Sequence, residues 1–279
     1  MSGVFIMELT ELIKQRRDSH PARDQALKHL GAIRRLDGNR LSNLDRLLAE
    51  AKQASDQLDP QNATDAAVHQ WLQHYIRELE TAQDERKLSF GADLAAHLDA
   101  LGWKLRGQYP KLTAGLFTFA LDFQRGRCKI WYGPEQELLD ECVLDADKVD
   151  SAVRQQRDHL GSGLEPSVFL SMLQRAYHHA QLESAAAPLP LLRLLPFLAL
   201  EVQSPKFKED PRKEHYKQYT RADFSYDLYQ LNKITSGVRL TIATRMQTNR
   251  RGDFLWVPTR EDVGSGNYFA SVELKEGKS

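Results

Sequence analysis

The sequence predicts an α+β protein: a helical N-terminal region followed by antiparallel β meander or hairpins with packed helices. Three observations carry this. Apolar residues recur at helical spacing as far as Leu101. Near Trp103 the period changes, and residues 116–123 alternate strictly, with Phe117, Phe119, Leu121 and Phe123 on one face. Three further strand-like runs follow Gly237, separated by glycine-containing turns. The expected organisation is a helical region over 1–101 and an α+β region over 102–279 whose later part is basic and aromatic.

At 279 residues, with 41% hydrophobic and 27% charged side chains, the chain has the composition of an ordinary globular protein. It is long enough to bury a core without staples. Two cysteines, Cys128 and Cys142, argue for a reducing compartment, hence a cytoplasmic protein. The start, MSGVFIMELTELIKQRR, lacks a basic segment ahead of a long apolar run, so no secretory leader is expected. The most apolar stretch, Leu189–Val202, carries Arg193, Pro190 and Pro196 and is too short to span a bilayer. It reads as buried core, with no membrane role.

In order along the chain, Ile6, Leu9 and Ile13 mark a first amphipathic segment. Ser19-His20-Pro21 breaks it, and Ala26, Leu30 and Ile33 continue one face. Ser42 with Asp45 three residues on resembles a capping box opening a helix that carries Leu44, Leu48 and Ala51. Thr64 begins the longest helix, with Val68, Trp71, Leu72, Tyr75, Ile76 and Leu79 on one side; Leu94, Leu98 and Leu101 mark another. Residues 40–100 hold 6 basic and 11 acidic side chains, read as a solvated face.

A hairpin is expected next. Pairing Gln124 with Arg127 sets Phe123 opposite Cys128, Leu121 opposite Ile130 and Phe119 opposite Tyr132, with Asp122 facing Lys129. A third strand near Leu138–Leu144 follows a Gly133-Pro134 turn. Residues 147–160 read as a short helix, Gly161-Ser162-Gly163 as a loop, and Pro166 opens a helix buried through Phe169, Leu173, Ala176, Tyr177 and Ala180, ended by the Ala185–Pro188 stretch. Thr220 and Asp223 form a Thr-x-x-Asp helix start, with Phe224, Leu228 and Leu231 on one face and Thr235-Ser236-Gly237 as its close. Strands are expected at 238–245, 254–258 and 268–274, with Asn249-Arg250-Arg251-Gly252 at the tip of a hairpin joining the first two.

No whole-molecule charge steers this protein, since its formal net charge is zero. A local patch does: residues 204–260 hold 12 Lys and Arg against 6 Asp and Glu, interleaved with eight aromatics. Lys206, Lys208, Arg212, Lys213 and Lys217 form one cluster, and Arg245, Arg250 and Arg251 another. Cations at this density can track a phosphate backbone, and Tyr216, Tyr219 and Phe207 offer rings for stacking. The bland reading makes the cations ordinary surface and most of the aromatics core.

A metal-dependent nuclease is a second reading. Asp253 precedes one strand, and Glu273 and Lys275 form Glu-x-Lys on the next, a pattern that can hold a divalent ion and polarise a phosphate. The pattern is short and recurs by chance, and hairpin parity sets Asp253 opposite Val272 instead. Asp223 and Asp227, one helical turn apart, can chelate, but with Arg221 and Lys233 nearby they read as a surface salt-bridge ladder. The scattered histidines and cysteines make no metal motif, and no nucleotide-binding or nucleophile motif occurs. No cofactor and no metal are expected.

The sequence therefore points to a non-catalytic subunit of a larger cytoplasmic nucleic-acid-handling complex. It expects a protein partner, and contact with DNA or RNA through the basic surface. The alternatives are the nuclease and a pure protein-protein interaction subunit.

Overall fold

The structure, a computed structural model, describes residues 21–183, 188–234, 237–262 and 264–274. The segment expected at Ile6, Leu9 and Ile13, the Ser19-His20 break, the Ala185–Ala187 helix stop, the Thr235-Ser236 close and Lys275 lie outside these residues. The described chain is α+β and forms two compact units, one up to Ala92 and one from Asp93. The division falls inside a helix, ahead of the 101/102 boundary read from the sequence.

In the first unit, α1 (21–36) leads through a 3-10 turn (Asp37–Asn43) into α2 (Leu44–Asp56), and α3 (Ala63–Asp99) follows. Ile33, Leu44, Leu47, Ala51, Leu72 and Leu79 share one core. Tyr75 closes its edge, its hydroxyl donating to Asp37 Oδ1 at 2.7 Å.

Two expectations change here. α2 starts behind Asn43, which gives no side-chain cap, and Asp45 accepts a hydrogen bond from Gln83; the Ser42 side chain of the expected capping box lies outside the described residues. The 3-10 turn runs directly into α2. The two helices read over 64–101 are also one, α3, of 37 residues. The polar span joining them is rich in helix formers. Its single Gly91 costs only about 1 kcal/mol relative to alanine, too little to stop the helix.

The second unit holds two sheets. The first is a five-stranded antiparallel meander: β1 (Arg106–Gln108), β2 (Lys111–Ala114), β3 (Phe117–Asp122), β4 (Arg127–Tyr132) and β5 (Glu137–Val143). The expected β3–β4 hairpin forms, but two residues out of the expected register. Leu121 faces Cys128, Phe119 faces Ile130, Phe117 faces Tyr132, and Asp122 faces Arg127 rather than Lys129.

The cause lies in the loop. Asp122 Oδ1 accepts from the Arg125 N–H at 2.9 Å, building an Asx turn, and Gly126 supplies φ +62°. The loop so formed holds four residues rather than two. Phe123 leaves the strand and packs edge-on against Tyr109. A slip of two preserves side-chain parity, so Phe117, Phe119, Leu121, Cys128, Ile130 and Tyr132 are buried as expected.

After α4 (Ala146–His159), capped by Asp145, and α5 (Pro166–Glu183), the apolar stretch forms β6 (Leu189–Pro190), a 3-10 turn and α6 (Leu195–Glu201). Then come α7 (Pro205–Glu209), α8 (Arg221–Asn232), β7 (Val238–Ile242), β8 (Leu255–Arg260) and β9 (Ser265–Leu274). The Thr220–Asp223 capping box on α8 is complete in both directions. Leu173, Leu191, Leu198, Phe224, Leu228, Val257 and Val272 lie in a single core.

The second sheet is not built from the expected hairpins alone. β8 and β9 pair as a hairpin, but β7 pairs with β9 and not with β8. Phe269 has Ile242 on one side and Leu255 on the other, so β9 is central; β6 pairs with it at Leu189↔Val272. The run Ala270, Ser271, Val272 is buried without alternation, the mark of a strand covered on both faces. Residues 243–254 are therefore not a hairpin loop but a crossover from one side of β9 to the other.

Within this unit the sheets are tied together. The Gln136 side chain accepts from the Trp256 N–H and donates to the Trp256 carbonyl, so an amide stands in for a strand partner. Tyr132 and Ser225 share a hydrogen bond at 3.0 Å. Gly133, at φ +57°, lets the Trp256 ring approach so closely that a Cβ there would lie 2.5 Å from it. Among the described residues no helix is long and apolar enough to cross a membrane.

Candidate nucleic-acid interface

The eight cations picked from the sequence fall on two stretches of the second unit. On the first, the Ser204 hydroxyl caps α7 by accepting from the Phe207 N–H, leaving Lys206 and Lys208 exposed on either side of Phe207 in the chain. Lys208 Nζ reaches the Glu201 carbonyl only at 3.4 Å. Lys213 is exposed in the next 3-10 turn, and Tyr216, 44% exposed, sets its ring 5.6 Å from that of Phe207. Two members of the group are engaged within the fold. Arg212 pairs with Asp210 at 2.8 Å, and Lys217 Nζ donates to the Ser162 carbonyl at 2.7 Å. Tyr219, expected as a stacking ring, is buried.

The second stretch is the crossover. Gln247 Oε1 accepts from both Thr244 N and Thr244 Oγ1, shaping a turn that exposes Arg245 and Arg250. Neither has an ion pair among the described residues. Arg251 behaves differently: its Nη2 donates to the Gln136 carbonyl at 2.7 Å, fastening the crossover to the β4–β5 turn. Arg221, at the start of α8, donates to the carbonyls of Arg251 and Phe254, the latter at 2.6 Å, and lies over the Phe254 ring. Burial lowers the Arg221 pKa, the neighbouring Arg251 charge lowers it further, and Glu137 acts in the opposite sense.

The three residues of the nuclease reading are not gathered by the strand pairing. Asp253 is exposed ahead of β8, its N–H bonded to the Arg250 carbonyl. β8 pairs with the first half of β9, whereas Glu273 lies in the second half opposite Arg239 of β7, with which it makes an ion pair at 3.6 Å. Lys275 is outside the described residues. Among the described residues no group of three His, Cys, Asp or Glu side chains is placed to hold a metal ion.

Asp223 and Asp227 are not a surface ladder. Asp227 is 7% exposed; it accepts from the Ser162 N–H at 2.9 Å and the Tyr219 hydroxyl at 2.8 Å. Asp223 accepts from Gly161 N at 2.9 Å and from Thr220 N and Oγ1 at 2.7 and 2.9 Å. The two carboxylates thus hold the Gly161-Ser162-Gly163 loop against α8. Burial pushes Asp227 up to about 6, with Asp223 adding to the rise and the Tyr219 and Ser162 donors opposing it. Asp223 is also raised by burial, against the pull of its Thr220 and Gly161 donors and Lys217.

Sequence reasoning missed Arg221, Gln136 and Trp131 as members of a site, because all three depend on the crossover passing beside the β4–β5 turn. No family model matches this chain, and no curated protein or solved structure matches it.

Proposed function

We propose that this chain is a non-catalytic subunit of a larger cytoplasmic assembly that handles nucleic acid, and that it contacts DNA or RNA through the cations of its second unit. The observation that carries the reading is the crossover: Arg245 and Arg250 stand exposed on it with no carboxylate partner among the described residues. Long cations on an exposed turn cost little to leave in water and reach a phosphate backbone. Lys206, Lys208 and Lys213, with the Phe207–Tyr216 ring pair, add the same chemistry and a stacking surface for single strands.

The test reverses Arg245 and Arg250 together to Glu. Arg251 is left alone because its side chain holds the β4–β5 turn. If both contact phosphates, affinity falls for every sequence alike. The plot of log affinity against log salt then flattens by roughly 1.4–1.8, the lower value for single strands. Stability stays within about ±0.5 kcal/mol, as for other exposed positions. Unchanged slopes, or no binding by the parent protein at low salt with its co-purifying partner present, remove nucleic acid from the account.

A further inference from the structure

The crossover and the β4–β5 turn border a half-open cavity of about 490 Å³, whose walls include Trp131, Gln136, Arg221, Asn249, Arg251 and Phe254. That volume falls in the roughly 300–1,000 Å³ range of small-molecule sites. Its chemistry is one-sided. Two guanidiniums line it, and neither makes an ion pair among the described residues; both spend their bonds on backbone carbonyls, and the Glu137 carboxylate beside Arg221 accepts from the Ala222 N–H. Burial and then the neighbouring Arg251 charge lower the Arg221 pKa, with Glu137 opposing them. Glu135, the one acid in the wall, is already paired with Lys111 at 2.7 Å.

Donors remain to spare. Arg221 Nε and the Trp131 indole N–H are buried and have no acceptor. The walls also offer ring faces. Phe254 is covered by Arg221, and Tyr268 meets Phe254 edge-on at 83°, while the half-buried Trp131 offers a further ring. Asn249, exposed at the mouth, supplies both a donor and an acceptor of the kind that reads a base edge.

An anion on paired arginines, a flat ring on a tryptophan and an amide for the ring's edge describe one ligand. We propose that this cavity binds a nucleoside monophosphate unit, its phosphate on Arg221 and Arg251 and its base against Trp131. The unit has two sources, a free mononucleotide or the phosphorylated end of a strand. The strand source rests on the nucleic-acid reading above; the free nucleotide does not.

Calorimetric titrations of the full chain separate them. The probes are AMP, inorganic phosphate, and a single-stranded decanucleotide phosphorylated at its 5′ end, its 3′ end or neither. A filled strand-end site gives at least tenfold tighter binding of one phosphorylated decanucleotide over the unphosphorylated one, and inorganic phosphate competes. A free-nucleotide site gives saturable AMP binding with no such preference. Trp131→Leu and Arg251→Gln each lose that binding at least tenfold; Asn249→Ala, on an exposed side chain, weakens it without changing Tm and guards against misfolding in the other two.

Equal affinity for all three decanucleotides without AMP binding overturns the cavity proposal and leaves the nucleic-acid reading standing. Saturable AMP binding without strand binding supports the cavity and removes the strand. No binding of any probe overturns the cavity proposal, as does binding that all three variants leave intact; the nucleic-acid reading is decided separately by the salt-slope test with the partner present.

Discussion

Cys128 and Cys142 stand directly opposite each other on β4 and β5, the first buried and the second half-buried. Directly opposed residues in an antiparallel pair have Cα atoms about 4.5–5.5 Å apart, inside the span a disulfide bridges. Burial holds the Cys128 thiol far above its ordinary pKa. Cys142 is raised too, first by burial and then by Asp140, with Arg127 acting against them. Both thiols therefore react slowly at neutral pH and faster as pH rises. Incubation with glutathione disulfide is expected to take the thiol titre of the denatured protein from two to zero without producing dimers. A bridge over a loop of about 15 residues adds about 3 kcal/mol if unstrained. A titre that stays at two, or covalent dimers, would show that the pair cannot close.

The meander core rests on residues whose parity survived the two-residue slip. Ile130 is fully buried opposite Phe119, while Lys129 beside it is exposed. Ile130→Ala is expected to cost on the order of 2–5 kcal/mol, and Lys129→Ala no more than about 0.5 kcal/mol. Urea melts of the two variants compare them directly; equal midpoints would place Ile130 outside the core.

Asp227 gives the second unit a pH dependence of unusual sign. Its folded-state pKa is raised to about 6 from the ordinary 3.8, so the native state holds the proton more tightly than the unfolded chain does. This group's contribution is greatest below about pH 4, declines as pH rises through 6, and is then constant. The full difference is roughly 3 kcal/mol. Asp227→Asn cannot ionise, so its stability relative to the parent should climb between about pH 4 and pH 7. A difference between the two proteins that stays flat across that window, by thermal melts at matched ionic strength, would falsify the assignment.

Local chemistry was legible in the sequence and long-range pairing was not. The Thr220–Asp223 capping box and the buried face of α5 depend on neighbours a few residues away, and both follow from spacing. The turn after Asp122 depended on whether its carboxylate would bond Arg125, which residue types alone do not decide. Asp223 and Asp227 looked like surface charges because the Gly161-Ser162 backbone that fills their acceptors lies some sixty residues earlier in the chain. The crossover was read as a hairpin for a related reason. Two strands with a polar, glycine-ended link usually pair with each other, and the burial of Ala270, Ser271 and Val272, which places the following strand between them, shows only in the fold.

That central position of β9 has a consequence for how the protein is made. β6, β7 and β8 all leave the ribosome before it, and among the described residues none of them pairs with another. Until Ser265–Leu274 emerges, each is an unpaired edge with its amides open to solvent or to other chains. Leu189 must then wait for Val272, some eighty residues later in the chain. The second sheet is thus a late, all-at-once event, and slow synthesis or early release exposes three aggregation-prone edges, whereas the meander, whose strands pair in sequence order, can close as it is translated.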